Sequence, residues 1–151
     1  MGAKEAQVTS EVLKAIEFGS GKLNKLATGL SKRIEQFETW FSKLPGKVDT
    51  IYSIDDPDGT PNSELGFRVH RFGKRWILSH GYGQYGIWEG TTWTPVAEAS
   101  LETKLLAVSI IPQLLANVLN AQEHLARRLE QAHAEFDSFA RLMGIDQTED
   151  K

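Results

Sequence analysis

Apolar side chains recur every three or four residues over two segments of this chain, and that spacing constrains its fold more than any other feature. In the first segment they stand at Val8, Val12, Ile16, Gly19, Leu23, Leu26, Leu30, Ile34, Phe37, Phe41 and Leu44. Such steps follow the helical period and not strand alternation. In the second, Val118, Ala121, Leu125, Leu129, Ala132, Phe136, Phe139 and Met143 step 3-4-4-3-4-3-4, and from Leu23 the first segment steps 3-4-4-3-4-3. Mixed eleven- and seven-residue units predict nearly straight packing rather than a tight left-handed supercoil. The two stripes are expected to face each other, within a protomer or across a dimer.

Local signals set the ends of these segments. Leu44-Pro45-Gly46 closes the first, because proline disfavours helical dihedrals at the residue before it. Thr94-Pro95 resembles an N-cap with proline at the first helical position, and Ser100 offers a second cap one turn on. The pattern beginning at Leu101 ends at Met143, with Gly144 placed as the left-handed residue after the helix. Two interruptions predict a break or bend. Gly19-Ser20-Gly21 carries two glycines, each costing about 1 kcal/mol against alanine in a helix. Pro112 removes a backbone hydrogen bond and crowds the preceding turn, at about 3 kcal/mol.

Length turns the helices into a statement about association. A continuous helix from Val8 to Leu44 would span about 54 Å at 1.5 Å per residue. A compact domain of this size has a radius of gyration of only about 15 Å. Either the helices break at the glycines and the proline, or they project and cover their stripes with a partner. The second outcome is favoured because the stripes are so long.

Between the helices the pattern changes to alternation. Val48, Thr50, Tyr52 and Ile54 share one face of a first strand, and Asp55 to Ser63 is built almost wholly of turn residues. Gly66 to Phe72 and Arg75 to His80 read as a hairpin joined at Gly73-Lys74, where glycine in the first central position suits a type II′ turn. This register pairs Arg71 with Trp76, His70 with Ile77 and Val69 with Leu78. Phe67, Val69, Arg71, Trp76, Leu78 and His80 then share the face turned to the helices. Arg68, His70, Phe72, Arg75, Ile77 and Ser79 share the other face. A fourth strand is expected near Tyr85 to Glu89, with a turn at Gly90. The predicted fold is α+β in one domain: a helix over residues 1–44, a four-stranded antiparallel β-meander over 47–93, a helix over 94–144 and an acidic tail from 145 to 151.

Motifs that could carry chemistry fail on spacing or context. Gly81-Tyr82-Gly83-Gln84-Tyr85-Gly86 matches G-x-G-x-x-G, but a strand and a turn follow it where a dinucleotide site needs a helix. Gly21-Lys22 is no phosphate loop, since Ile16 replaces its first glycine and Leu23 its magnesium ligand. Asp56, Asp58 and Gly59 suggest a calcium loop, yet Ile54 and Leu65 occupy the positions that need oxygen ligands. His124 and His133 are nine apart, which is no standard zinc spacing, and His70 and His80 fall on opposite faces. With no cysteine, thiol nucleophiles and cysteine-bound metals are excluded. No cofactor and no metal is expected.

One constellation survives. Residues 67–93 hold seven of the fourteen aromatics, with Arg68, Arg71, Lys74 and Arg75 opposed only by Glu89. Arginines neutralise phosphates and aromatic rings stack on bases, at about 1–3 kcal/mol per stacked base. The candidate ligand residues are Arg68, His70, Arg71, Lys74, Arg75, Tyr82, Tyr85 and Trp88. The candidate interface residues are Leu23, Leu30, Ile34, Phe37, Phe41, Leu125, Leu129, Phe136 and Phe139. The leading expectation is a non-enzymatic binding protein, acting as a homo-oligomer or docking on another protein through its amphipathic helices. The alternative is a binder or sequestering protein for phosphate-bearing ligands, a nucleotide or single-stranded nucleic acid, through the hairpin. The net charge of −3 selects no partner class, but the charge is uneven: +2 over residues 1–44 and −4 over residues 96–151. Residues 1–7 have no hydrophobic run, and no stretch reaches the roughly 18 consecutive apolar residues of a membrane span. A cytoplasmic protein without a membrane partner is expected.

Overall fold

The computed structural model describes residues 3–145, with side chains from residue 9 onward. The Val8 side chain and the acidic tail with Asp146, Glu149 and Asp150 lie outside the described residues. Helix α1 (Ala3–Ser42) is followed by strands β1 (Ile51–Asp55), β2 (Ser63–Phe72), β3 (Arg75–Gln84) and β4 (Thr94–Pro95), a 3-10 turn at Val96–Glu98, and helix α2 (Leu101–Met143). The strands form one antiparallel sheet in chain order. The fold is α+β, with a long helix on either side of the meander in sequence.

The hairpin has the predicted register, Arg71 opposite Trp76 and Val69 opposite Leu78. Gly73 makes the turn at φ +65, where a residue with a Cβ would be strained. Alternation then puts Tyr52, Ile54, Leu65, Phe67, Val69, Trp76 and Leu78 on one face. They pack there against Ile34 and Phe41 of α1 and Ala107, Ile110, Leu114 and Val118 of α2. Burying a large apolar side chain contributes about 1.5–3 kcal/mol, so these few contacts hold the sheet to both helices. Ser100 caps α2 by accepting from the Thr103 amide at 3.3 Å. Gly144 ends the helix at φ +71, with the Ile145 amide donating back to the Ala140 carbonyl at 2.8 Å.

Four expectations are corrected. The first strand begins at Ile51 and not at Val48. No strand runs from Tyr85 to Glu89; a turn at Tyr85–Gly86 reverses the chain there, and the fourth strand is Thr94–Pro95. Thr94-Pro95 is therefore a strand leading into the 3-10 turn and not the cap of the long helix, which is Ser100. Neither helix breaks. α1 is continuous through Gly19-Ser20-Gly21 and α2 through Pro112. The Val108 carbonyl that loses its donor to Pro112 belongs to an exposed residue at the helix surface, where an unpaired carbonyl is open to solvent and costs less than in the core.

The helices instead project. At 1.5 Å per residue α1 is about 60 Å long and α2 about 64 Å. Only residues 30–42 of α1, with Leu44 just after it, and 103–122 of α2 contribute regularly to the packed region. The Lys104 ammonium donates to Ser31 Oγ at 2.8 Å, and Gln122 Nε2 donates to the Gly46 carbonyl at 3.1 Å. The start of α2 thus lies beside the middle of α1, and its middle beside the chain just after α1. The helices run the same way across the sheet, so the first half of α1 and the last half of α2 leave the core at opposite ends. Within one chain the stripes of these two arms cannot meet.

Candidate functional site

The outer face of the sheet carries Arg68, His70, Phe72 and Arg75, with Trp88 and Trp93 laid over it, and three glycines decide its shape. A Cβ on Gly66 or Gly83 would stand 2.6 Å from the Trp88 ring, and one on Gly81 would stand 2.7 Å from Thr91 Cγ2. Without those side chains, residues 88–93 fold back onto the strands and Trp88 lies flat over the backbone. Trp93 stacks against it, ring centroids 5.6 Å apart. The glycine pattern at 81–86 is therefore a floor for indole rings, with Gly86 turning the chain at φ +71.

Arg68 lies over Trp93 at 4.9 Å and forms an ion pair with Asp49, its Nε donating to Oδ1 at 3.1 Å. Its charge is compensated within the chain. His70 Nε2 bonds Ser79 Oγ at 2.8 Å. Partial burial and then the Arg68 charge hold the His70 imidazole below its ordinary pKa, so it is neutral near pH 7. At the tip of the hairpin Arg71, Lys74 and Arg75 are exposed, with Arg71 Nε donating to the Gly73 carbonyl at 3.0 Å. Phe72 stands exposed among them. Strand alternation puts Phe72 on the face away from the helices, opposite to the core aromatics Phe67 and Trp76, but does not single it out as a ligand residue.

Tyr82 and Tyr85 lie at the far end. They line an open cleft of ≈ 440 Å³ with Ser63, Gln84, Ile87, Glu89 and Thr91. Tyr85 adopts φ +54, and its hydroxyl accepts from Asn62 Nδ2 at 3.1 Å. Burial, and then Asp56 and Asp58, raise the Tyr82 phenol above its ordinary pKa. The surroundings there are acidic. Arg75 and Tyr82 are separated by seven strand residues, about 23 Å at 3.3 Å each. A single nucleotide cannot touch both the basic tip and the tyrosines.

The candidate interface residues divide in two. Ile34 and Phe41 are fully buried in this chain's own core, with Leu30 and Phe37 packed against it. Leu23 is 61% exposed, Phe136 58%, and Leu125, Leu129 and Phe139 are similarly open. The expectation that the stripes face each other within a protomer is thereby overturned for the arms, which leave the core at opposite ends. Leu13, Phe18 and Leu142 widen the apolar surface of the arms. They lie off the stripes, so periodicity alone does not single them out.

Among the described residues no cluster of three metal-ligating side chains occurs, and His124 and His133 are exposed on the α2 arm. Compared with protein-family models, curated proteins and solved structures, the chain matches none. A functional reading therefore rests on geometry alone.

Proposed function

We propose that this is a non-enzymatic interaction protein whose two helical arms are its binding surfaces, for a further copy of itself or for another protein. The observation that carries the reading is the fate of the stripe on either side of Leu30. On the C-terminal side Ile34 and Phe41 are buried; on the N-terminal side Leu23, Leu26, Ile16 and Val12 continue the same spacing with nothing over them. The α2 stripe from Leu125 to Phe139 is equally uncovered. Contiguous apolar surface on that scale marks an interaction site in a soluble protein. An isolated helix also draws little stability from propensity alone and is normally held by packing on its apolar face.

The reading keeps the chain in solution. Among the described residues α2 is long and apolar enough to cross a bilayer by length and composition. Its first half, however, gives Ala107, Ile110, Leu114 and Val118 to the sheet, and Asn117 donates to the Ile51 carbonyl at 3.3 Å.

Site-specific photocrosslinking in producing cells tests the proposal. A photoreactive residue at Leu23 or Leu129 is expected to give discrete adducts, and one at the outward Lys32 or Arg127 is not. Absence of adducts from every stripe position would remove the reading.

A second reading draws on the hairpin tip, where exposed Phe72 sits among Arg71, Lys74 and Arg75 and can stack on a base while they hold phosphates. Phe72→Ala and Arg75→Ala should then each weaken binding of a single-stranded oligonucleotide at low salt. Equal behaviour of both variants and the parent would exclude it.

A further inference from the structure

We propose that the occupant of the arms is a second copy of this chain, in a two-fold antiparallel dimer where the α1 arm of each protomer lies along the α2 arm of the other. The inference rests on the reading of the arms as interaction surfaces and goes beyond it by naming what covers them.

Direction comes first. The contacts of Lys104 with Ser31 and of Gln122 with Gly46 make α1 and α2 parallel, so the arms leave opposite ends of the core. A two-fold axis across the helices inverts the second copy. Each α1 arm is then brought beside the partner's α2 arm, antiparallel to it, twice per dimer. Closed two-fold symmetry of this kind is the commonest arrangement of identical chains.

Length and spacing agree with that pairing. From Leu30 out to Thr9 and from Gln122 out to Met143 the arms span the same distance, about 32 Å. When their bases are aligned, Leu129 falls opposite Leu23, Phe136 opposite Ile16, and Ala132 close to Gly19. A Cβ on Gly19, Gly21 or Gly29 would meet nothing in this chain within 4 Å. Nothing inside the protomer accounts for these glycines in the helix, whereas a partner helix against Gly19 approaches more closely for want of a side chain there.

Area points the same way. The stripe side chains from Val12 to Leu26 and from Leu125 to Phe139 are 42–61% exposed. Covering them in both arm pairs would bury on the order of 1,600 Å², the size of a standard stable interface.

The chain has no cysteine, so introduced pairs report without background. Leu23→Cys chains are mixed with Leu129→Cys chains, exchanged and oxidised. The proposal expects a disulfide-linked dimer in the mixture and none from either variant alone. A mixture of Ile16→Cys with Phe136→Cys chains repeats the test about two turns further along the arm, and circular dichroism verifies the fold of each variant. Crosslinking of Leu23→Cys chains on their own would overturn the arrangement, since it pairs α1 with α1. A monomeric mass for the parent chain at its highest soluble concentration would overturn the choice of a second copy. If those monomers still gave stripe-specific adducts to a different protein, or bound phosphatidylglycerol vesicles through the arms, the second copy fails while the arms remain binding surfaces.

Discussion

Glu38 Oε2 accepts a hydrogen bond from the Leu78 amide at 2.6 Å, joining α1 to the open edge of β3 across 40 residues of sequence. One helical turn on, Ser42 Oγ accepts from the Trp76 amide at 3.2 Å and donates to the Trp76 carbonyl at 3.3 Å. Four helical residues advance about 6.0 Å and two strand residues about 6.6 Å, so side chains at i and i+4 on the helix match alternate amides on the strand. β4 pairs with β3 only at Ser79 and His80. The helix satisfies the edge where that strand stops, and a buried amide left without an acceptor is avoided.

This contact predicts a difference between two substitutions. Glu38→Ala leaves the buried Leu78 amide without its acceptor and should cost about 1–3 kcal/mol. Glu38→Gln keeps an acceptor and removes the charge, so at pH 7 it should cost clearly less. Desolvation by burial raises the Glu38 carboxyl above its ordinary pKa, against the Leu78 hydrogen bond and the Arg75 charge, which lower it. The folded state then binds the proton more tightly than the unfolded state. Parent stability should fall, relative to Glu38→Gln, as pH rises from the ordinary carboxylate range through the raised value. Urea titrations of the three proteins at pH 4 to 8 measure this, and equal losses in both variants would refute it.

The histidines give a slope of opposite sign. Neither ring nitrogen of His80 has a hydrogen-bond partner among the described residues, and burial lowers its pKa. His70 is lowered by burial and then by Arg68. Below the ordinary value of about 6.5 the unfolded chain takes up protons that the folded chain resists. Stability contributed by the neutral imidazoles is complete above that pH and is lost as pH falls through it towards the depressed folded values. Histidine NMR titrations should show both resonances moving below pH 6.5, and a midpoint above that value for either would contradict the account.

Gly83 tests the floor beneath the indoles. A Cβ there would lie 2.6 Å from Trp88 Cε3 and 2.7 Å from the Ile87 carbonyl oxygen. One of these neighbours is backbone, so Gly83→Ala should cost about 1–3 kcal/mol by overpacking and shift tryptophan emission to the red. Gly86→Ala also strains the chain through its positive φ but meets no neighbour, so it should leave the emission in place. Identical spectra for the two variants would argue against the stacked arrangement.

The stripe on α1 predicts two regimes. Ile34→Ala empties a fully buried position and should cost about 2–5 kcal/mol at any protein concentration. Leu23→Ala should cost under about 0.5 kcal/mol in dilute protein, as ordinary surface substitutions do, and more as concentration rises and the arm is covered. Thermal melts over a hundredfold range of concentration separate the two. A concentration-independent loss for Leu23→Ala would contradict the division at Leu30.

Much of the sheet was legible because its signals are local. Gly73-Lys74 specified a two-residue turn, and alternation on either side then fixed which residues faced the helices. The fourth strand was not legible, because Trp88 reads like a strand residue until Gly66 and Gly83 are known to lie beneath it. The division of the α1 stripe was equally hidden, since Leu23 and Ile34 have the same spacing and only the sheet distinguishes them. Glu38 did leave a trace: it is an acid beside Ile34 and Phe41 on an otherwise apolar face. As for the candidate ligand residues, their grouping into tip, outer face and far cleft follows from strand length. Their nearness in sequence gave no hint of a 23 Å separation.

Amide hydrogen exchange over a range of protein concentration tests the central claim most directly. If the arms are covered by partners, residues 9–29 and 123–139 should approach the protection of residues 103–118 at high concentration and lose it on dilution, while the core keeps its own. Rapid exchange in both arms at every concentration, beside a protected core, would contradict it.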